Sequence, residues 1–317
     1  MLPGARPGVA CSCRHEGMTV SSASLIGRDA DVARLDDALE RARSGSPVFA
    51  LLRGEAGMGK SRLVDTFADR LGDDAIVARG QCVDLGDVSA PHAPITSVLR
   101  AVVGALGLDF AREAAGPALA ALAALLPELA PEGGSNPAPV GGAGAAQLHE
   151  AIALLLEAAS RERPVVVVIE DLHWIDGASL AAVQFSMCAL TAGRLLFVLT
   201  YRGEDIGPRH PARPFLIEAE RHRAAERWDL GPLTRGEVRR QMHQLIGEAP
   251  ADTDVDAVFE RSDGIPFFVE ELVAIDACRR DSAIPETLRE LLLARYERLS
   301  GDARCPASSM MSASRRR

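Results

Sequence analysis

Residues 46–72, SPVFALLRGEAGMGKSRLVDTFADRLG, restrict the architecture more than any other stretch of the chain. Val48 to Leu52 is an unbroken apolar run, the signature of a buried strand. Leu63, Phe67 and Leu71 recur at helical spacing, and Gly72 stops that helix. Between strand and helix, Gly54, Gly59, Lys60 and Ser61 match G-x-x-x-x-G-K-S. The glycines of such a loop let backbone N–H groups curl inward onto phosphate oxygens, and the helix behind adds the positive end of its dipole. This order implies an α/β chain built on a P-loop, with a parallel sheet flanked by helices.

Lys60 is the chain's only lysine; every other cation among its 35 Lys and Arg is arginine. From inside the loop a cation must reach the β- and γ-phosphates. A compact ammonium on a slim stem fits there, whereas a broad planar guanidinium does not. Ser61 supplies a hydroxyl for Mg²⁺. The candidate nucleotide-binding set is Gly54, Glu55, Ala56, Gly57, Met58, Gly59, Lys60, Ser61 and Arg62.

PVVVVIEDLHWID, residues 164–176, gives a second constraint. Four valines and an isoleucine suit a strand covered on both faces, as in a parallel sheet. Glu170 and Asp171 end that run. Acids at the carboxyl end of such a strand lie beside the phosphate crevice. One would bind Mg²⁺ through water, and the other would orient or deprotonate the attacking water. Position suggests Glu170 for the metal and Asp171 for the base, with the reverse left open. His173 follows, near the site or structural.

The remaining segments complete an alternating pattern. LIGRDADVARLDDALERA places Val32, Leu35, Leu39 and Ala42 on one helical face, with Asp29 or Asp31 as a cap. DAIVARGQC, LLFVLTYR (195–202) and the shorter RWDLGPL suggest further strands. Residues 95–126 are Ala- and Leu-rich and helical, residues 131–146 are a Pro/Gly-rich loop, and a helix is expected over 147–160. Beyond residue 233 only helices are expected, over 235–246, 253–263, 266–278 and 286–299. There is no internal repeat.

Composition narrows the function. A hydrophobic fraction of 47% supports a true core, and only 4% aromatic residues means that alanine, leucine and valine fill it. The net charge of −9 argues against a nucleic-acid-binding surface as the main feature. Cys11, Cys13, Cys82, Cys188, Cys278 and Cys305 show no metal-binding spacing and suggest reduced thiols in a cytoplasmic protein. No apolar run reaches the roughly 18 residues of a membrane span. Residues 1–17 lack a signal-type hydrophobic segment, and Met18 is an alternative start.

The segments LIGRDADVARLDDAL, LLRGEAGMGKSRLV, VVVVIEDLHWIDGAS, LLFVLTYR and RSDGIPFFVEEL succeed one another here. Over residues 23–300 this resembles the ATPase domains of large LuxR-type transcriptional regulators. Those belong to the signal-transduction ATPases with numerous domains (STAND), near the AAA+ group. The resemblance implies ATP or ADP with Mg²⁺. It implies that Ile26, Gly27 and Arg28 form an opening motif beside the adenine. It casts Arg202 as the sensor arginine that reads the γ-phosphate. Gly264, Ile265 and Pro266 would be the turn opening a helical lid, with Pro266 against the adenine.

The expected organisation is a disordered segment over 1–22, a P-loop ATPase domain over 23–232, a helical lid over 233–300 and a disordered tail over 301–317. The implied function is a slow ATPase switch within a transcriptional regulator. Alternatives are a turnover AAA+-like ATPase or a non-catalytic nucleotide-binding fragment. In the family a winged helix, a helical-repeat sensor and a DNA-reading helix-turn-helix follow. Here IPETLRELLLARYERLSGDAR begins that continuation and CPASSMMSASRRR breaks it, as a frameshifted or truncated tail would. No direct DNA contact and no membrane association is therefore expected. Self-association through the lid is expected from Leu288, Leu291, Leu292 and Leu299.

Overall fold

The computed structural model describes residues 24–84, 91–130 and 143–278. Five parallel strands form one sheet: β1 (Val48–Arg53), β2 (Ile76–Gln81), β3 (Val165–Glu170), β4 (Leu195–Tyr201) and β5 (Ala225–Asp229). Their order is β2-β3-β4-β1-β5. The α/β fold expected from the sequence, a P-loop with a parallel sheet between helices, is the fold observed.

The sheet is apolar on both faces because its strands alternate between two cores. Phe49, Leu51, Val165, Val167, Ile169, Phe197 and Leu199 enter one. Val48, Ala50, Leu52, Val166, Val168, Leu196 and Val198 enter the other. All residues of β3 and β4 are buried. Phe49 and Phe197 are register partners, and their rings stack at 4.3 Å between centroids. Such a stacked pair adds about 0.5–1.5 kcal/mol beyond its area burial.

Helices α1 (Asp29–Arg43) and α2 (Lys60–Leu71) cover the second core through Leu35, Leu39, Leu63 and Phe67. The opposite face carries α3 (Ala93–Leu106), α4 (Leu108–Ala115), α5 (Leu119–Ala123), α6 (Ala143–Glu162), α7 (Gly177–Ala189) and α8 (Arg213–Ala219). Then α9 (Arg235–Ile246), α10 (Asp252–Ser262) and α11 (Pro266–Cys278) pack together around Val238, Met242, Val255, Val258 and Val269. Ile265 and Phe268 leave that cluster and join the core beside the P-loop.

Several local expectations are corrected. Neither Asp29 nor Asp31 caps α1: the cap position is Arg28, and no side chain supplies the bond. Asp31 lies in the first turn, 3.8 Å from the Arg28 guanidinium. Helix α6 starts at Ala143, four residues early, because the last part of the Pro/Gly-rich stretch is Ala-Gly-Ala-Ala, and alanine favours helix strongly. Strand β5 stops at Asp229, where its partner β1 also stops. Segments 1–22 and 301–317, the helix at 286–299 and its leucines lie outside the described residues. Among those described, no single helix is long and apolar enough to cross a membrane.

Candidate phosphate-binding site

Because all strands are parallel, Arg53, Glu170, Tyr201 and Asp229 finish at the same edge of the sheet. The loop leaving β1 turns there into α2. Gly57 and Gly59 take φ of 79° and 85°, a region costly for residues with a Cβ. Leu63 N–H donates to the Gly59 carbonyl at 2.9 Å, so the cradle leads directly into the helix.

Lys60 is the first residue of α2 and is buried. Its ammonium donates to the carbonyls of Gly54 at 2.7 Å and Glu55 at 3.0 Å. Burial lowers its pKa, and Arg202 lowers it further; Asp171, Glu204 and Asp205 act in the opposite sense. The lysine thus sits where an anion would relieve its desolvation.

A cleft of about 270 Å³ gathers Ala56, Gly57, Gly59, Lys60, Ser61 and Arg62 with Asp171, Arg202 and Pro266. These come from the β1–α2 loop, the ends of β3 and β4, and the start of α11. Asp171 adopts a left-handed conformation, φ 56°, just past β3. Its N–H donates to Thr200 Oγ1 at 3.1 Å, and its carboxylate accepts from Gln81 Nε2 at 2.7 Å. Neighbouring strands therefore hold both its backbone and its side chain. Glu170 is buried at the end of β3, away from the cleft lining, with Oε1 4.0 Å from Arg79 Nη1. Arg202 stands over the Trp174 ring at 5.3 Å, with Nη1 3.8 Å from Asp205 Oδ2.

His173 is fully buried between Asp171 and Asp205, its Nε2 3.8 and 3.7 Å from their oxygens. Neither ring nitrogen makes a hydrogen bond. Burial lowers its pKa, with Asp171 opposing that shift.

Ile26, Gly27 and Arg28 are not among the residues lining the cleft. Arg28 is buried and donates to the carbonyls of Met58 at 3.1 Å and Gly231 at 2.7 Å. It ties the cradle to the chain leaving β5. Burial lowers the pKa of this guanidinium as well.

Sequence reasoning missed the wall facing the loop. Phe267 N–H donates to the Gly57 carbonyl at 3.2 Å. Arg62 Nη1 donates to Glu270 Oε1 at 2.7 Å, and Gln241 Nε2 donates to Glu270 and to the Pro266 carbonyl. Phe267 and Glu270 also line the cleft. Both fall within RSDGIPFFVEEL, where the sequence marked the Gly-Ile-Pro turn but not these two side chains.

The donor set fits a nucleotide phosphate chain: the glycine-rich loop, the Lys60 ammonium and the guanidiniums of Arg202 and Arg62 share one cleft, with Arg62 paired to Glu270. No cluster of three or more His, Cys, Asp or Glu able to hold a metal occurs among the described residues.

A phosphate cradle at the carboxyl edge of a parallel sheet, with an acid and an arginine from adjacent strand ends, defines a P-loop NTPase. Residues 24–198, over half of the chain, match the AAA ATPase domain family. The chain belongs to that family. It is 29% identical over 271 residues to an uncharacterized protein of Rhizobium meliloti, covering 78% of this chain and 24% of that protein. The chain thus spans about a quarter of that relative. Among solved structures it is similar to a STAND protein with a tetratricopeptide-repeat sensor from Pyrococcus horikoshii, at 13% identity and TM-score 0.43, covering 78% of this chain and 30% of that one. It is also similar to Cdc6p from Pyrobaculum aerophilum, at 14% identity and TM-score 0.44, covering 82% and 63%.

Proposed function

We propose that this chain is the ATP-binding regulatory module of a LuxR-type signal-transducing transcriptional regulator, acting as a slow ATPase switch. The observation that carries the nucleotide reading is the convergence of Lys60, Asp171 and Arg202 on one cleft closed on its far side by α11. The LuxR context rests on the order of motifs in the sequence.

In this reading Lys60 and the amides of the loop bind the phosphates. Ser61 with the acidic pair would hold Mg²⁺, which when bound would supply charge neutralisation to the phosphates. Asp171, locked by Thr200 and Gln81, orients the attacking water and accepts its proton. Glu170 supports the site from within the sheet. Arg202 meets the γ-phosphate. Pro266 covers the adenine, with Ile26, Gly27 and Arg28 backing that end. Residues 23–232 form the ATPase domain and 233–300 the lid. Self-association through the lid and a cytoplasmic location belong to the same proposal.

The proposal requires slow single-turnover hydrolysis and retention of ADP. Rapid multiple turnover would favour a working AAA+-like ATPase. Failure to bind ATP or ADP in the presence of Mg²⁺ would overturn the reading, and binding without any hydrolysis would leave a non-catalytic nucleotide-binding fragment.

A further inference from the structure

The loop after β4 does more than present Arg202. Its residues are anchored by contacts within the loop and with neighbouring segments. Arg202 stands over Trp174. Gly203 lies against the Arg53 guanidinium so closely that a Cβ there would fall 2.1 Å from Nε. Asp205 faces Arg202 at 3.8 Å and His173 at 3.7 Å. Ile206 N–H closes the turn onto the Gly203 carbonyl at 3.3 Å. Between these anchors, Glu204 Oε1 accepts a hydrogen bond at 3.2 Å from the backbone N–H of Ala56, within the phosphate cradle. The same carboxylate acts on the Lys60 ammonium electrostatically.

A carboxylate on a cradle amide makes the kind of bond that a phosphate oxygen would make. We propose that Glu204 is a nucleotide-specificity residue, whose negative charge disfavours a third phosphate and biases the site toward the diphosphate. The inference rests on the nucleotide-switch reading, and on Arg202 meeting the γ-phosphate, because that places the rest of the loop at the same end of the ligand. Arg202 and Glu204 then oppose each other across Gly203. The arginine rewards the γ-phosphate, while the glutamate competes for its amide and repels its charge. A triphosphate must displace Glu204 from Ala56; a diphosphate leaves it in place. Such a balance suits a switch that rests with ADP.

The test measures affinities for Mg²⁺-ATP and Mg²⁺-ADP in the full chain, in Glu204→Gln and in Glu204→Ala. Glutamine removes the charge and keeps an oxygen for the Ala56 N–H; alanine removes both. Losing one partly exposed like-charge contact should tighten ATP binding about 3- to 10-fold, with ADP affinity held within about two-fold. Unchanged ADP affinity also shows that each variant is folded. A rise in the ATP-to-ADP affinity ratio in both variants assigns the effect to charge. A rise in alanine alone assigns it to competition for the amide. Either supports Glu204 as the determinant. An unchanged ratio in both overturns the inference while leaving the switch reading intact. Weaker ATP binding, or slower hydrolysis with no change in ratio, also overturns it and makes Glu204 a group that serves the triphosphate. A wild-type chain that binds neither nucleotide overturns both readings together.

Discussion

Lys60 shows how much one side chain can be constrained by its surroundings. It is buried, held by two carbonyls of its own loop, and set between an arginine and three acids. Arginine at that point would bring a wider, planar group into the same space. Lys60→Arg should therefore abolish ATP binding, as Lys60→Ala should. Titration calorimetry showing wild-type affinity in the arginine variant would refute the steric argument. Asp171 is held as closely, but by hydrogen bonds to strands on either side of β3. A group that positions or deprotonates water contributes typically about 10²–10⁴-fold in rate. Asp171→Asn should lose a factor in that range in single-turnover hydrolysis while keeping nucleotide affinity. Glu170→Gln should cost less, because Glu170 lies away from the cleft lining. Equal rates in Asp171→Asn and wild type would remove this acid from the chemistry.

Among elements, the decisive contact is between the β1–α2 loop and α11. Their interface combines the Phe267 N–H to Gly57 bond, the Arg62–Glu270 ion pair and apolar packing by Ile265 and Phe268. At Gly57 a Cβ would lie 2.9 Å from Phe267 Cβ and 3.1 Å from Ile265 Cγ2, and φ is already positive. Gly57→Ala must either strain the loop or push α11 away. The left-handed backbone alone costs about 1–2 kcal/mol for an L-residue, so a loss of at least that size is expected in urea unfolding. A wild-type midpoint would refute both the backbone cost and the packing cost at this position. The ion pair is only partly shielded, with Arg62 32% exposed and Glu270 12%. A double-mutant cycle on Arg62 and Glu270 should therefore give a coupling of about 1 kcal/mol rather than several.

At the scale of the whole molecule, the cleft connects the sheet, the loops at its carboxyl edge and the terminal helices. Arg202 follows β4 directly and stands over Trp174; in the proposed reading it distinguishes a nucleotide by its last phosphate. Arg202→Ala should weaken ATP while leaving ADP nearly unchanged. Removing a charge-assisted contact typically costs about 1.5–3 kcal/mol, or roughly ten- to a hundred-fold in affinity. Equal losses for both nucleotides would assign Arg202 a structural role.

Local sequence was enough for the strand–loop–helix at residues 46–72, the buried valine strand and the last three described helices. Apolar periodicity, glycine and charge are properties of neighbours in the chain, and each element's dominant contacts repeat along it. The exceptions were at element ends, where the helical tendency of the alanines at 143–146 outweighed the glycine-rich context. The strand order, the Arg28 strut, the α11 wall and the Glu204 contact were not legible. They join residues 203, 208 and 148 positions apart, from Arg28 to Gly231, Arg62 to Glu270 and Ala56 to Glu204. No pattern in a window of sequence encodes such pairs. They exist because a parallel sheet brings all its strand ends to one edge, so that loops distant in the chain meet around the same phosphate cradle. The sequence by itself determined that this protein would have such a cradle; the tertiary structure decided which distant side chains, Arg28, Glu204 and Glu270, brace it.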